Sequence, residues 1–493
     1  MPTTVLVTGA GGGTANNVVR SLTAWDPSVI TVGCHDDPFR LKASAAARNW
    51  LAPPLGHPRW PRAMRAIVAR AAVDVAIPTT DADLEAVGAI RRRLGCRTFL
   101  PAPPVLALCA DKLRLARHLS AHGVPVPETY AVAGLGGLPA VARRLAAHPK
   151  LWCRMRRGAG SMGATPVITA DQARHWIDYW VRMRGVSARA FALAEYLPGR
   201  DFACQSLWKD GRLVLIKTVE RLSYFGGTSR PSGVSSIAAL ARTVAAPAVA
   251  DVCRRAVRAL GPRVSGAFSV DLKENAAGVP CVTEINAGRF ITMLNLFDAA
   301  GKHSMSATYV RLALGEVVEL RDEYDVAEDY YLIRDVDTPP AVFHATEVFD
   351  GFLDARGVIH RRAGRAATGD DDGRAAQEGR EEHGAPGRDP TGLEEGRQGT
   401  GEGAEGRGQR LGRQALDEGE AQEGRRVGPA RGGGARRWSI TGEFEGHALE
   451  ALALEARRVA ARYGARVTTV SRAPVARPRR ARARTSSPLR RRG

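Results

Sequence analysis

The sequence predicts an α/β protein with a long tail, and three features of the chain lead to that prediction. In the first hundred residues, apolar strands alternate with helical patterns, which is typical of a doubly wound sheet. Near residue 270, an alternating run and its return strand carry acidic and amide side chains, which predicts a β-hairpin bearing a polar site. From 361 to 437 large apolar side chains almost disappear. That segment cannot offset the entropy cost of folding, and we expect it to be disordered.

The N-terminal segment VLVTGAGGGTANNVVRSL predicts a strand, a glycine loop and a helix. A helix N-terminus after such a loop can receive a pyrophosphate, so a nicotinamide-dependent reductase is an alternative class. Two observations count against that class. The spacing is not a clean G-x-G-x-x-G, because Asn16 and Asn17 follow the glycines, and no Tyr-x-x-x-Lys pair occurs as a proton relay.

The same region continues with strands predicted at Ile30–Cys34 and Val73–Pro78 and a further short strand at Thr98–Pro101. Open α/β sheets bind ligands at the carboxyl ends of their strands. The strand end in IPTTDADLEAV is therefore a candidate site for the acceptor substrate, with the polar residues Thr79, Thr80, Asp81 and Asp83. Asp81 also fits a helix N-cap, and the two roles are compatible.

The stretch SGAFSVDLKENAAGVPCVTEINAGRF predicts a hairpin: a strand ending at Asp271, a glycine-containing connection, and a return strand Val279–Asn286. Glu284 and Asn286 are two residues apart on one strand, so they share a face that Asp271 can also meet. Two carboxylates and an amide oxygen, with Arg289 just beyond, form a hard oxygen site that suits Mg²⁺. The competing interpretation is a pair of solvated acids on an exposed hairpin.

Upstream, LWCRMRRGAGSMG predicts a short apolar strand carrying Arg154, followed by a basic, glycine-dense turn. Glycines allow backbone N–H groups to approach an anion closely, and Arg154 can reach phosphate oxygens. The residues of this turn with that potential are Gly158, Gly160, Ser161 and Gly163. An ordinary glycine-rich hairpin is the alternative.

The segment LAEYLPGRD predicts an apolar strand broken by Pro198 and Gly199. It could offer backbone groups to a purine edge while Asp201 accepts from ribose hydroxyls, or it could be an ordinary strand and turn. Residues 217–236 form a polar, glycine-rich segment that follows a predicted strand. It is either a plain surface loop or a cover over substrate, with three cations available for a carboxylate or phosphate: Lys217, Arg221 and Arg230.

In order and spacing, these segments resemble the ATP-grasp superfamily, nearest the synthetase units of carbamoyl-phosphate synthase and its single-unit relatives. A fourth match, DKLRLARHLSAHGVPVPET at 111–129, precedes them, and the likeness covers roughly residues 1–345. The resemblance implies a nucleotide site formed by Lys112, Arg154, Arg156, Gly158, Gly160, Ser161, Gly163, Glu195, Tyr196, Leu197 and Asp201. It implies that Mg²⁺ or Mn²⁺ is held by Asp271, Glu284 and Asn286. Arg289 would meet the transferring phosphoryl group, and Lys217 and Arg221 are further candidate catalytic residues.

One residue departs from the family pattern. Arg154 stands where lysine is usual. Arginine keeps the positive charge and adds a planar fork suited to phosphate, but the two side chains differ in reach.

The implied architecture is a Rossmann-like pre-ATP-grasp domain at 1–110, a two-subdomain α+β ATP-grasp domain at 111–345, and a low-complexity tail at 356–493. The implied reaction is carbon–nitrogen ligation: ATP phosphorylates a carboxylate, and an amine or other nucleophile displaces phosphate from the acyl phosphate. The partners would be small-molecule carboxylate and nucleophile substrates, and a homodimer is left open.

Composition limits the remaining possibilities. The 493 residues carry a net charge of +20, and the last 23 contain nine arginines and no acid. That end also lacks aromatic residues, so we expect a solvated tail rather than a nucleic-acid partner. No apolar run reaches ~18 residues, so no membrane span is expected. Seven scattered cysteines without a C-x-x-C predict reduced thiols and a cytoplasmic protein. The tail is either a natural extension or an out-of-frame product.

Overall fold

The computed structural model describes residues 2–347, apart from 159, 231, 234, 236 and 336–338, together with the backbone of 437–442 and 466–472. Residues 1–374 form one compact unit and 375–493 a second. Most of the tail lies outside the described residues, so its disorder stays a prediction. None of the helices described between residues 2 and 347 has the length and apolar character needed to cross a lipid bilayer.

The N-terminal sheet is parallel, and its four strands lie in the order β3-β2-β1-β4. The strands are β1 (Thr4–Thr8), β2 (Ile30–His35), β3 (Arg48–Leu51) and β4 (Val75–Ile77). The helices that connect them are α1 (Gly13–Trp25), α2 (Pro38–Lys42), α3 (Trp60–Arg70) and α4 (Asp81–Ile90), the last followed by a 3₁₀ turn at Arg91–Arg93. Every residue of β1 is buried, as expected for a strand covered on both faces.

Two of the three strands predicted here are confirmed, at β2 and β4. The strand predicted at Thr98–Pro101 is wrong, because only Arg97 forms an isolated bridge, with Val75. The chain there enters Pro101 and Pro103, which have no N–H to donate to a sheet. The short, exposed edge strand β3 was not predicted, since its four residues show no clear alternation.

A second sheet is antiparallel, with the order β5-β8-β6-β7. Its strands are β5 (Thr129–Ala131), β6 (Leu151–Met155), β7 (Thr165–Val167) and β8 (Phe191–Glu195). The helices of this part of the chain are α5 (Pro103–Cys109), α6 (Lys112–Ala121), α7 (Leu138–Arg144) and α8 (Ala170–Arg184). Short 3₁₀ turns also occur at Leu135–Gly137 and Ala188–Ala190. The strands predicted around Arg154 and before Pro198 are confirmed as β6 and β8.

The third sheet has seven strands in the order β13-β12-β9-β10-β11-β14-β15. They are β9 (Asp201–Lys209), β10 (Arg212–Tyr224), β11 (Ala238–Thr243), β12 (Gly266–Glu274), β13 (Pro280–Ala287), β14 (Tyr330–Ile333) and β15 (Ala341–His344), with a 3₁₀ turn at Ala345–Glu347. Its helices are α9 (Pro247–Ala259), α10 (Leu294–Ala299) and α11 (Met305–Leu314). The apolar face of α9 joins Phe202, Trp208 and Phe268 in one buried cluster. This core packs against the strands that carry the candidate site and fixes their positions.

The chain therefore combines a parallel sheet with antiparallel sheets, and the predicted mixed α/β class is confirmed. The boundaries 1–110 and 111–345 stay predictions. In the second unit, β16 (Arg437–Gly442) and β17 (Arg466–Arg472) pair in parallel.

Candidate functional site

The predicted hairpin is formed by β12 and β13, and its three polar residues meet on one face. Asp271 lies opposite Glu284 in the strand register, and Asn286 lies opposite Ser269. The Asn286 Nδ2 donates to Asp271 Oδ2 at 3.2 Å and to Glu284 Oε1 at 3.5 Å. The shared face expected from the sequence is confirmed, and the interpretation as two solvated acids is wrong.

Each carboxylate of this hairpin has a cationic neighbour. Lys112 Nζ lies 3.0 Å from Glu284 Oε2, and the Arg221 guanidinium donates to Asp271. Burial raises the pKa of Asp271 to about 6, against the opposing effect of Arg221. Burial also acts to raise the pKa of Glu284, but Lys112 and the hydrogen bond with Asp271 outweigh it and lower that pKa to about 2. The hairpin thus presents negative charge that positive groups compensate.

Arg289 lies between the hairpin and the N-terminal sheet. Its Nη2 donates to Asn286 Oδ1 at 2.6 Å, and its Nε lies 2.6 Å from Asp81 Oδ1. The amide oxygen of Asn286 consequently faces the arginine while its NH₂ group faces the acids. Asn286 can become a metal ligand only after its amide rotates, so that role stays a prediction.

The predicted acceptor-site residues at the end of β4 divide into two groups. Thr80, not Asp81, is the N-cap of α4, since its Oγ1 accepts from the Asp83 N–H at 3.1 Å. Thr79 and Asp83 are buried, and Thr79 Oγ1 donates to Thr8 O at 2.8 Å. Asp81 alone of the four lines the cleft described below. Its cap role is therefore wrong, and it faces Arg289 instead.

The glycine-dense turn has the left-handed backbone that its sequence suggests. Its φ angles are positive at four residues: Gly158 (111°), Gly160 (74°), Ser161 (56°) and Gly163 (67°). Lys112 Nζ donates to Gly158 O at 2.8 Å, and the Trp176 indole N–H donates to Gly163 O at 2.9 Å. The turn is thus anchored at both ends, and Trp176 is an anchor that sequence reasoning missed.

The Arg156 guanidinium is paired with a carboxylate outside this turn. Its Nη2 donates to Asp111 Oδ2 at 2.7 Å and its Nε to Asp111 Oδ1 at 3.3 Å. Asp111 is also the N-cap of α6, where it accepts from the Leu113 and Arg114 N–H groups. Arg156 therefore ties the turn to the start of α6, and its contact with nucleotide stays a prediction.

Arg154 has an unsatisfied guanidinium edge. Its side chain is only 7% exposed, and its Nη1 donates to Thr283 O at 3.0 Å. Its Nε and Nη2 find no partner within the described part of the protein, and burial lowers its pKa. A buried donor without an acceptor costs about 1–3 kcal/mol. Because Arg154 lines the cleft, an anionic ligand would remove this cost.

The segment expected to offer backbone groups to a purine edge lies at the end of β8. The Glu195 N–H donates to Glu128 O at 2.9 Å, and the Tyr196 N–H donates to Lys150 O at 3.3 Å. Leu197 is buried at the cleft wall. The backbone donors of Glu195 and Tyr196 are thus already used, and any recognition of a purine by this segment stays a prediction.

Asp201, expected at ribose, has both carboxylate oxygens engaged. Its Oδ1 accepts from Arg221 Nη1 at 3.1 Å and its Oδ2 from the Tyr224 hydroxyl at 2.6 Å. Arg221 in turn reaches Asp271, so one chain of contacts connects Asp201 to the hairpin. Burial acts to lower the Arg221 pKa, but Asp271, Tyr224 and Asp201 outweigh it and raise that pKa. Tyr224 was not identified from the sequence.

Lys217 is not in the cleft, and its prediction as a catalytic residue is corrected here. It lies within β10 with 1% of its side chain exposed, and its Nζ is 3.0 Å from Asp325 Oδ2. The Nζ also donates to Phe297 O and Ala300 O, at 2.8 and 2.9 Å. Burial lowers its pKa. The loop predicted from residue 217 begins only after Tyr224, because the apolar run of β10 continues to that point.

Most of the predicted site residues line one cleft of about 1110 Å³. The predicted site residues in its wall are Lys112, Arg154, Gly158, Gly160, Ser161, Glu195, Tyr196, Leu197, Asp201, Arg221, Asp271, Glu284, Asn286 and Arg289. Arg334 also lines the cleft and was missed, since it follows β14 without a recognisable motif. Its Nη2 donates to Thr292 O at 2.8 Å and its Nη1 to Ala238 O at 3.4 Å. No carboxylate partners its guanidinium within the described residues, and burial lowers its pKa.

Sequence comparison gives no match. No family model matches the chain. No curated protein sequence matches it either.

Solved structures do match in fold. Biotin carboxylase from Campylobacter jejuni, in a complex with β-γ-ATP, has 13% identity and a TM-score of 0.53 over 67% of this chain and 75% of its own. L-amino acid ligase from Bacillus licheniformis has 14% identity and a TM-score of 0.51 over 67% and 78%. N5-carboxyaminoimidazole ribonucleotide synthetase from Thermus thermophilus has 16% identity and a TM-score of 0.51 over 68% and 84%. All three are ATP-grasp enzymes, and the likeness shows that this chain has their fold.

Proposed function

We propose that this chain, which has the ATP-grasp fold, is an ATP-dependent ligase that activates a carboxylate as an acyl phosphate for attack by an amine or another nucleophile. One observation carries the proposal. The unsatisfied Arg154, the Lys112–Glu284 pair and a turn with positive φ angles face one cleft. A triphosphate needs donors of this kind, since phosphate is bound by guanidinium forks, ammonium groups and backbone N–H groups.

The donor set fits a divalent cation at the hairpin. Asp271 and Glu284 are half-buried carboxylates, and Lys112 and Arg221 already supply them with positive charge. Mg²⁺ or Mn²⁺ with ATP would be held by these two acids and, after amide rotation, by Asn286. Such an ion, when bound, neutralises charge on the phosphates.

The remaining chemistry is positioning and charge stabilisation by side chains. Near Arg289 and Arg334, a substrate carboxylate oxygen attacks the γ-phosphorus, the bond to the β-phosphate oxygen breaks, and ADP leaves. Arg289 stabilises the negative charge that develops on the transferred group. The nucleophile then attacks the acyl carbon and inorganic phosphate departs.

The N-terminal glycine loop supports this proposal over a nicotinamide-dependent reductase. Gly11 lies against α2, where an added Cβ would be 1.8 Å from the Arg40 carbonyl oxygen. Asn16 fastens the same segment, since its Nδ2 donates to Ala43 O and its Oδ1 accepts from the Ala45 N–H. The backbone after β2 thus covers part of the loop that a pyrophosphate would need to approach.

A substrate screen tests the proposal. The full chain with MgATP is offered amino acids and other carboxylic acids, and ADP release is measured with hydroxylamine present to trap acyl phosphate as hydroxamate. We expect acid-dependent ADP release and hydroxamate with at least one acid, and neither with Glu284→Gln. ADP release that is the same with and without every acid, and without hydroxamate, would contradict carboxylate activation.

A further inference from the structure

A second cavity, of about 630 Å³, lies where the 3₁₀ turn after α4 meets the connection between α9 and β12. Its wall shares one residue, Arg91, with the large cleft. The proposed ligase chemistry uses no residue of this cavity.

The cavity combines uncompensated positive charge with an apolar wall. Arg91, Arg92 and Arg263 line it, and its described lining includes no carboxylate. Arg91 Nη1 donates to Pro101 O at 3.0 Å. Arg92 and Arg263 are exposed and find no partner among the residues described. Of its lining residues, Ser265 contacts an acid, since its hydroxyl donates to Asp210 Oδ1 at 3.3 Å.

The apolar part of the wall is formed by Leu100, Pro101, Val105, Leu260 and Val264. Guanidinium groups recognise phosphate and carboxylate through paired N–H donors. Apolar side chains beside them favour a ligand with a hydrophobic body rather than an inorganic ion.

The cavity is physically connected to Arg289. Helix α4 begins at Asp81, the ion-pair partner of Arg289, and ends next to Arg91. Gly288, immediately before Arg289, is held tightly: an added Cβ would lie 2.7 Å from Leu84 Cδ1 and 3.2 Å from Pro101 Cδ. Movement of α4 or of Pro101 would therefore be transmitted to the residue that carries the Arg289 guanidinium.

We propose that this cavity binds an organic anion with a doubly charged head and an apolar body, and that its occupancy is coupled to ligand affinity in the large cleft. Binding at the cavity does not depend on the proposed ligase function. The proposed coupling between the two sites rests on that function only because it is measured as a change in the affinity for MgATP.

Phenyl phosphate is a suitable probe, because it joins a phosphate dianion to an aromatic ring. Calorimetry with the full chain should show binding that weakens by about tenfold or more in the double variant Arg92→Glu, Arg263→Glu. Arg174→Glu, an exposed arginine on α8, and Lys112→Ala, in the large cleft, should bind the probe as the wild type does. Inorganic phosphate should bind about tenfold more weakly than phenyl phosphate.

Three results would overturn the site: no binding to the wild type, binding lost in Lys112→Ala but kept in the double variant, or binding unchanged in every variant, which marks an adventitious additive only. Equal affinity for phenyl phosphate and inorganic phosphate would overturn the role of the apolar wall.

Coupling is tested by titrating MgATP with and without saturating phenyl phosphate. We expect the Kd for MgATP to change about threefold or more in the wild type and to stay constant in the double variant. An unchanged Kd in the wild type would overturn the coupling. If the wild type bound phenyl phosphate but no MgATP at all, the proposed ligase function would fail while the cavity assignment stood.

Discussion

Glu284 lines the cleft and contributes negative charge to it. It pairs with Lys112 at 3.0 Å, and Asn286 Nδ2 donates to both Glu284 and Asp271. Glu284→Gln keeps the shape but removes one negative charge, so we expect the protein to fold and phosphoryl transfer to fall. Lost stabilisation of about 3–4 kcal/mol corresponds to a drop on the order of 10² to 10³. ADP release with a responsive acid measures it.

The control for this variant is Glu319→Gln, because Glu319 is exposed. Glu274, the other acid of the hairpin, is unsuitable as a control, because it is buried and Arg200 Nη2 donates to its Oε1 at 2.6 Å. Wild-type turnover in Glu284→Gln together with loss in Glu319→Gln would contradict the assignment of the hairpin.

Lys217 supports stability rather than chemistry, because its ammonium pairs with Asp325 inside the core. Replacing it with methionine leaves the Asp325 carboxylate without its cation. Removing one partner of a buried ion pair costs about 3–5 kcal/mol. We expect a loss of stability at the lower end of this range, because Asp325 also accepts from the Lys302 and His303 N–H groups. Urea unfolding of Lys217→Met measures the loss.

The matched control is Lys42→Met, at the exposed end of α2, which should unfold as the wild type does. If Lys217→Met kept full stability but lost ADP release, Lys217 would be a catalytic residue after all.

At the scale of elements, the glycine-dense turn offers a matched pair of substitutions. Gly160 and Gly163 both have positive φ, so alanine at either residue adds about 1 kcal/mol of backbone strain. A Cβ at Gly160 would meet no atom of the described residues within 4 Å, whereas at Gly163 it would lie 2.9 Å from Met155 Cγ and 3.1 Å from Phe191 Cε1. Gly163→Ala should therefore lower the unfolding midpoint and weaken MgATP binding more than Gly160→Ala. Equal effects in thermal melts and calorimetry would contradict this packing.

Elements built from local patterns could be predicted from the sequence, and contacts between distant segments could not. Alternation and a glycine turn were enough for the hairpin that joins Asp271 to Glu284, because register follows from the side-chain period of two. The Arg289–Asp81 pair and the second contact of Asp201, with Tyr224, arise only when separate sheets or strands pack together. Lys217 was misjudged because a charged residue in a long strand resembles the start of a loop. Only its position opposite Asp325 shows why it is buried.

For the whole molecule, we expect the first 355 residues to fold and bind nucleotide alone. The segment 361–437 has almost no large apolar side chains, so it has little surface to bury against the rest of the chain. Truncation after Ala355 should leave the melting temperature and the MgATP affinity unchanged. Thermal melts and calorimetry of the full and truncated chains test this expectation. A large loss of stability on truncation would show that the tail packs against the first 355 residues.

Nucleotide choice tests the central claim most directly, because it needs no knowledge of the acid substrate. In calorimetry, we expect the full chain to bind ATP in the presence of Mg²⁺ and to show no heat with NADPH. Arg154→Ala should weaken MgATP binding by about tenfold or more, since the unsatisfied guanidinium edge loses its charge-assisted bonds to phosphate. Tight NADPH binding without MgATP binding would contradict the account.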